Sequence, residues 1–325
     1  MVIHCTDDKI RYTGRWNVTE TTATSTANGS YFEFVFHGEN AVIRFDLSHT
    51  VIPRPHVYVC VDDGARVEVP LEPFMRIFAE EGEHRVCVIM KSSVETQNRW
   101  CSPIEAAVSL VNIEAEEFAE LPEDTRPIIE FIGDSITEGI AIDIGYVQYG
   151  DNRDMVYWDD ATAGYAWLTA EKLNYRPVIM GYGCLGLTRG GAGNVPLAEK
   201  AYPYYSEGYP IHEQKAAIIV VNLGTNDRNS DADYFIQKYI DFLYVVRMRN
   251  PEAKIVALTP FSGCLATEIQ VAVEAYNAEK DDRVGYVNAT GWIDPEPLHP
   301  TRNGHKTVSE KLSQTLKGSL LWEAF

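Results

Sequence analysis

Two rhythms of apolar and polar positions divide the chain. From about residue 10 to 115, short runs alternate apolar with polar at 31–36, 41–47, 56–61, 65–69 and 84–90. A period of two puts successive side chains on opposite faces, so each run predicts a half-buried antiparallel strand. Turn-forming residues punctuate the runs at His37-Gly38-Glu39-Asn40, Asp62-Asp63-Gly64 and Glu81-Gly82-Glu83. A succession of this kind predicts an all-β sandwich of jelly-roll type.

After residue 127 the runs become continuous rather than alternating, at 128–132, 177–183, 216–224, 254–259 and 284–288. Uninterrupted apolar strands are those buried on both faces, as in a parallel sheet. Helical periodicity fills the intervals, most clearly over 161–173, 231–249, 265–279 and 302–316. Strand and helix in turn predict a three-layer, flavodoxin-like α/β unit, whose ligand chemistry belongs at the carboxyl ends of the strands. The acidic segment 116–127, with two prolines, reads as the linker. The expected organisation is therefore a β-sandwich over 1–120 and an α/β domain over 121–325. A chain of 325 residues also exceeds what one core commonly serves.

Charge narrows the partners. A formal net charge of −19 disfavours a nucleic-acid backbone or an anionic membrane surface, both of which would repel it. The first residues hold no basic segment followed by an apolar stretch, so neither a secretory leader nor a spanning helix is expected, and the reading is cytoplasmic unless a leader was trimmed. Six cysteines without C-x-x-C spacing predict reduced thiols. His37, His49, His56 and His84 lack metal-ligand spacing and read as structural or exposed. No metal and no cofactor is expected, and the oligomeric state is left open.

Candidate chemistry gathers at the predicted strand ends. The run Ile128 to Ile132 feeds into Gly133-Asp134-Ser135, which reads as a buried strand turning sharply into a helix. A serine placed there sits among free backbone N–H donors, although Asp or Ser capping a helix is the plainer reading of the tripeptide alone. Gly183 follows the second run and Gly224-Thr225-Asn226-Asp227 the third. Near the end comes Asp294-Pro295-Glu296-Pro297-Leu298-His299-Pro300-Thr301-Arg302-Asn303-Gly304-His305. Of its two histidines, His299 lies in the loop while His305 falls on a helix face that packs.

In this order the four segments resemble the four blocks of the SGNH (GDSL) esterase superfamily, over roughly residues 128–316. The resemblance implies acyl transfer, which needs a nucleophile, a base within reach and donors for the oxyanion. Ser135 is the implied nucleophile and His299 the base. The backbone N–H groups of Ser135 and Gly183 and the side-chain amide of Asn226 are the implied oxyanion donors. The family places an aspartate three residues before the histidine, where this chain has Glu296, with Asp294 two residues earlier. Ser135 and His299 are thus expected to be indispensable and Glu296, or alternatively Asp294, secondary, the other arrangement being a Ser–His dyad supported by a backbone carbonyl.

A jelly-roll preceding the hydrolase domain, together with Gly291-Trp292-Ile293-Asp294, is similar to carbohydrate esterase family 2. That likeness implies removal of acetyl groups from xylan- and mannan-type saccharides, with a small-molecule or oligosaccharide acetyl ester as partner. The stretch 140–165 is aromatic and acidic, with Tyr146, Tyr149, Tyr157, Trp158, Asp159, Asp160 and Tyr165. Trp158 and Trp292 are candidates for stacking on sugar, and Asp134 for a substrate contact. Other readings on the same scaffold are a short-chain acyl esterase, thioesterase or lysophospholipase, and an inactive carbohydrate-binding protein.

Overall fold

The computed structural model describes residues 1–143, 155–211 and 215–318. Its N-terminal domain comprises β1 (Val2–His4), β2 (Arg11–Thr13), β3 (Asn17–Val18), β4 (Ala23–Ser25), β5 (Tyr31–Phe45), β6 (His56–Val61), β7 (Val67–Pro70), β8 (Phe74–Phe78), β9 (Glu83–Ser92) and β10 (Val108–Ala119). These strands form one antiparallel network in which β5 pairs with β2, β8, β9 and β10.

Residues 31–36 and 41–47, expected as two strands separated by a turn at 37–40, belong largely to the single long strand β5. The correction has a physical cause. Phe32, Phe34 and Phe36 enter the core from even positions, and Ala41, Ile43 and Phe45 from odd ones. The change of parity falls around Gly38, whose φ of +113° bends the strand, and β10 shifts register opposite it between Ala115 and Glu117. A bulge of this kind lets one strand keep its apolar side chains on one core through a bend. Each such phenylalanine, fully buried, contributes roughly 1.5–3 kcal/mol.

The second domain begins after residues 120–127, which hold no regular secondary structure. Its parallel sheet contains β11 (Ile128–Gly133) and β12 (Arg176–Gly181). A small hairpin, β13 (Tyr204–Ser206) and β14 (Tyr209–Pro210), stands apart from it. The sheet is completed by β15 (Ala216–Asn222), β16 (Lys254–Leu258) and β17 (Val284–Val287). Its order is β12-β11-β15-β16-β17, the doubly wound arrangement in which connections diverge between the first and third strands.

Helices α1 (Ser135–Glu138), α2 (Met155–Trp158), α3 (Tyr165–Leu173), α4 (Ala198–Ala201), α5 (Ala232–Arg249), α6 (Ala266–Glu279) and α7 (Arg302–Gly318) connect the strands. Phe235, Tyr239 and Phe242 of α5 and Ile269 and Val273 of α6 share one core with the sheet. Tyr165 and Ala170 of α3 and Val308 and Leu312 of α7 share the other. The helix expected over 161–173 is interrupted: Asp160 caps a 3-10 turn, Ala161–Ala163, and Gly164 is extended before α3 starts.

The N-terminal domain packs directly on this second core. Tyr31 and Ile89 belong to it, and the rings of Tyr31 and Trp167 meet edge to face at 5.6 Å. Arg15 is buried, donates to the carbonyl oxygens of Ala201, Tyr202 and Tyr204, and lies 3.8 Å from Glu130 of β11.

Candidate active site

Ser135 is placed by what precedes and follows it. Strand β11 ends at Gly133, and the Asp134 carboxylate caps α1 by accepting the Ile136 N–H at 2.9 Å. One turn later Gly139 stops the helix at φ +89°. A Cβ there would meet the Asp160 carbonyl oxygen at 2.6 Å, so only glycine fits. Ser135 thus occupies the first helical position, where the backbone N–H has no partner within the helix. Its side chain sits at the end of a rigid strand rather than on a free loop.

His299 lies between β17 and α7, and its Nε2 is 2.8 Å from Ser135 Oγ. The start of α7 holds the loop in place. Arg302 reaches Asp143 at 2.9 Å and Asp160 at 3.2 Å. His305 is buried, accepts the Tyr165 N–H at Nδ1 and stacks on the Tyr165 ring. Burial lowers His299 to about 4 and His305 to about 3, because a desolvated imidazole disfavours its charged form. His299 is therefore neutral at physiological pH, as a base that accepts a serine proton requires.

The remaining candidates divide by environment. Asn226 lies in a 3-10 turn after β15, and its amide donates to the Leu185 carbonyl at 3.0 Å and approaches Asp134 at 3.4 Å. Next to it, the buried Asp227 accepts the backbone N–H groups of Leu187 and Thr188, tying the loop after β12 to the loop after β15. Gly183 stands two residues beyond β12, beside α1. Its N–H bears on the Glu138 carboxylate, and a Cβ at this position would run into the Glu95 carboxyl. Asp134 is fully buried and is raised to about 6, chiefly by burial, with its oxygens turned to Ile136, Thr225 and Asn226.

Glu296 and Asp294 are exposed, and among the described residues no hydrogen bond joins either to the imidazole. Trp292 is half-buried against the core beneath α7, and its carbonyl accepts from Lys311. Trp158 is half-buried at the end of α2, with its carbonyl accepting the Asp143 N–H at 3.0 Å. Tyr157 is exposed and meets His56 edge-on. Tyr165 is buried against Thr137. Asp159 accepts the Ala141 N–H, and Asp160 accepts the Tyr58 hydroxyl. Tyr146 and Tyr149 lie outside the described residues.

Beneath α1 lies a polar assembly with no local sequence signal. Arg99, from the loop between β9 and β10, is fully buried and pairs with the equally buried Glu138. Asn28 donates to the same carboxylate at 2.9 Å and accepts from Ser93 at 3.1 Å. The Arg99 guanidinium lies 5.1 Å from the centre of the Tyr182 ring. Partners 39 positions apart in different domains leave no periodicity to read. Glu130 is different: a lone charge inside an apolar strand announces that a buried partner must exist, and that partner is Arg15 with the Tyr202 hydroxyl.

All six cysteines are free. Among the described residues, no group of three or more His, Cys, Asp or Glu side chains is arranged to hold a metal ion, and no helix is long and apolar enough to cross a membrane.

A serine hydroxyl and a neutral imidazole at hydrogen-bond distance, both at the carboxyl edge of a parallel sheet, agree with the comparison of families. Residues 131–307 match the GDSL-like Lipase/Acylhydrolase family. The chain belongs to that family. As a GDSL-type hydrolase it is a carboxylic ester hydrolase. Its whole fold is similar to that of a family two carbohydrate esterase from Cellvibrio japonicus, with a TM-score of 0.80, 21% identity, and coverage of 98% of this chain and 97% of that one. A family two carbohydrate esterase from Clostridium thermocellum, in complex with cellohexaose, gives 0.79 at 22% identity over 96% and 99% of the two chains. The acetyl xylan esterase Est2A from the rumen bacterium Butyrivibrio proteoclasticus gives 0.78 at 21% identity over 99% and 100%. At these identities the likeness is one of fold, and it extends through both domains of the GDSL-type hydrolase. No curated protein matches the chain in sequence.

Proposed function

We propose that this hydrolase removes acetyl groups from O-acetylated carbohydrates through a Ser135–His299 acyl-enzyme mechanism. The observation that carries the mechanism is the 2.8 Å contact between His299 Nε2 and Ser135 Oγ. His299 takes the serine proton as Oγ attacks the acetyl carbonyl, then returns it to the departing sugar hydroxyl. A water repeats the cycle on the acetyl-serine and releases acetate. The negative oxygen of each tetrahedral intermediate is received by the Ser135 N–H and the Asn226 amide, with Gly183 the third candidate because its N–H also serves Glu138. Glu296 takes a secondary part.

The carbohydrate reading is supported by the likeness to family two carbohydrate esterases through both domains, in the same order. The chain's acidity favours neutral esters over anionic ones. The test is to incubate acetylated xylo- and manno-oligosaccharides with the protein and follow loss of acetyl groups by mass spectrometry, with an aryl acetate and longer acyl esters in parallel. Acetate release from the oligosaccharides is the expected result. Preference for longer acyl chains or thioesters, with the sugars untouched, would reject the carbohydrate reading.

A further inference from the structure

Glu95 belongs to the N-terminal domain, in the loop between β9 and β10, yet its carboxyl lies against Gly183 of the hydrolase domain. Gly183 is glycine for that reason among others, since any side chain would displace the carboxyl. The same loop is anchored deeply. Arg99, four residues on, is fully buried and donates to the Glu95 backbone carbonyl. Glu95 itself is half-buried, and its side-chain oxygens have no hydrogen-bond partner among the described residues. The Glu138 and Asp134 carboxylates and the Arg99 guanidinium are the charges that bear on it, and it acts in turn on the Cys184 thiol. Burial, reinforced by Glu138 and Asp134, raises it to about 7.

A carboxyl partly withdrawn from water and left without a partner is unfavourable unless something else supplies the hydrogen bond. An ester whose carbonyl rests between Ser135 and the backbone at 183 brings the groups flanking that carbonyl within reach of Glu95. In an acetylated sugar those groups include free hydroxyls; in an aryl acetate they do not. We propose that Glu95 is a substrate-contacting residue supplied by the N-terminal domain, whose carboxyl hydrogen-bonds a hydroxyl of the sugar ring that carries the acetyl group. The inference rests on the carbohydrate-ester reading above. A hydroxyl both donates and accepts, so it suits this carboxyl in either protonation state.

The experiment compares kcat/KM for an O-acetylated xylo-oligosaccharide with that for 4-nitrophenyl acetate in the wild type, Glu95→Ala and Glu95→Gln. Removing one hydrogen bond to a substrate hydroxyl should lower the sugar-to-aryl ratio about tenfold in the alanine variant. Glutamine, which keeps a neutral donor and acceptor, should recover most of it. If the alanine variant does not fold, Glu95→Met, of similar length and without hydrogen-bonding atoms, carries the same expectation. An unchanged ratio, or an equal loss on both substrates, overturns the inference while leaving the carbohydrate reading standing. A wild type that cleaves the aryl acetate but no sugar acetate would overturn that reading, and this inference with it.

Discussion

Along the histidine loop, from Trp292 to Thr301, the carboxylates of Asp294 and Glu296 stand in solvent. At the boundary between the two domains, Glu130 and Glu138 are drawn inside and meet Arg15 and Arg99. Water screens the first pair of carboxylates, so their pull on a neighbouring imidazole is weak. The second pair acts where screening is small and where one charge without its partner is expensive. The contrast teaches that the turn carrying Ser135 is held from below α1 by buried charge, while the carboxylates nearest His299 in sequence stand where water screens them.

The comparison breaks most decisively at the site itself. Ser135→Ala and His299→Ala should each reduce acetate release by at least about 10⁴-fold, because nucleophile and base act as a unit. A His299 variant that retains a tenth of the activity would show that the imidazole is not the base. At the boundary, Arg99→Met strands the Glu138 charge and should lower stability by about 3–5 kcal/mol in equilibrium urea unfolding, with Arg99→Met/Glu138→Leu recovering much of the loss. Equal losses in the single and double variants would mean that packing, not charge, joins the domains there. Asn226→Ala removes one oxyanion donor and should cost roughly 10²–10³ in kcat with little change in KM.

A pH profile sharpens the contrast further. Burial holds His299 near 4, below its ordinary 6.5, so the base stays neutral and contributes no fall in kcat/KM from neutrality down to about pH 5. Protonation of the base should then bring the rate down with a midpoint near 4. Both His299 and His305 are depressed on folding. Their neutral forms therefore favour the native state, fully above 6.5 and progressively less as pH falls toward their folded values. Asp134 and Glu95, raised to about 6 and about 7, act in the opposite sense over the same interval, so the melting temperature reports the balance of the two sets. A kinetic midpoint at or above 6.5 would instead show a negative charge acting on the ring during turnover. The smallest expected effect is that of Glu296→Ala, within about tenfold of wild type in kcat/KM. A loss as large as that of His299→Ala would place this carboxylate behind the ring and erase the distinction between the two regions.

Much of the α/β domain was legible in the sequence because its strands are buried on both faces. Runs such as 216–224 and 254–259 leave no other reading, and β15 and β16 lie within them. Ser135 and His299 were singled out by the resemblance of four ordered segments to the SGNH esterase blocks, no one of which would have sufficed alone. The antiparallel domain was less legible. The bend at Gly38 masquerades as a hairpin turn, and β10 changes the parity of its core positions, from Val108 and Leu110 to Ile113 and then to Phe118, where its pairing with β5 shifts register. Trp292 shows another limit: an aromatic residue beside this loop looks the same in sequence whether it faces a ligand or the core, and here it packs partly against the core while staying half-exposed. Glu95 and Arg99 were invisible, since their environment is created only when the two domains meet.

The Arg15 side chain, seated among three carbonyl oxygens of the opposite domain, has an evolutionary corollary. A hydrolase fold can exchange its front module by recombination only if the seam is neutral ground. Here a new module would arrive without the guanidinium that Glu130 requires, and would have to be matched at that seam before it could be kept.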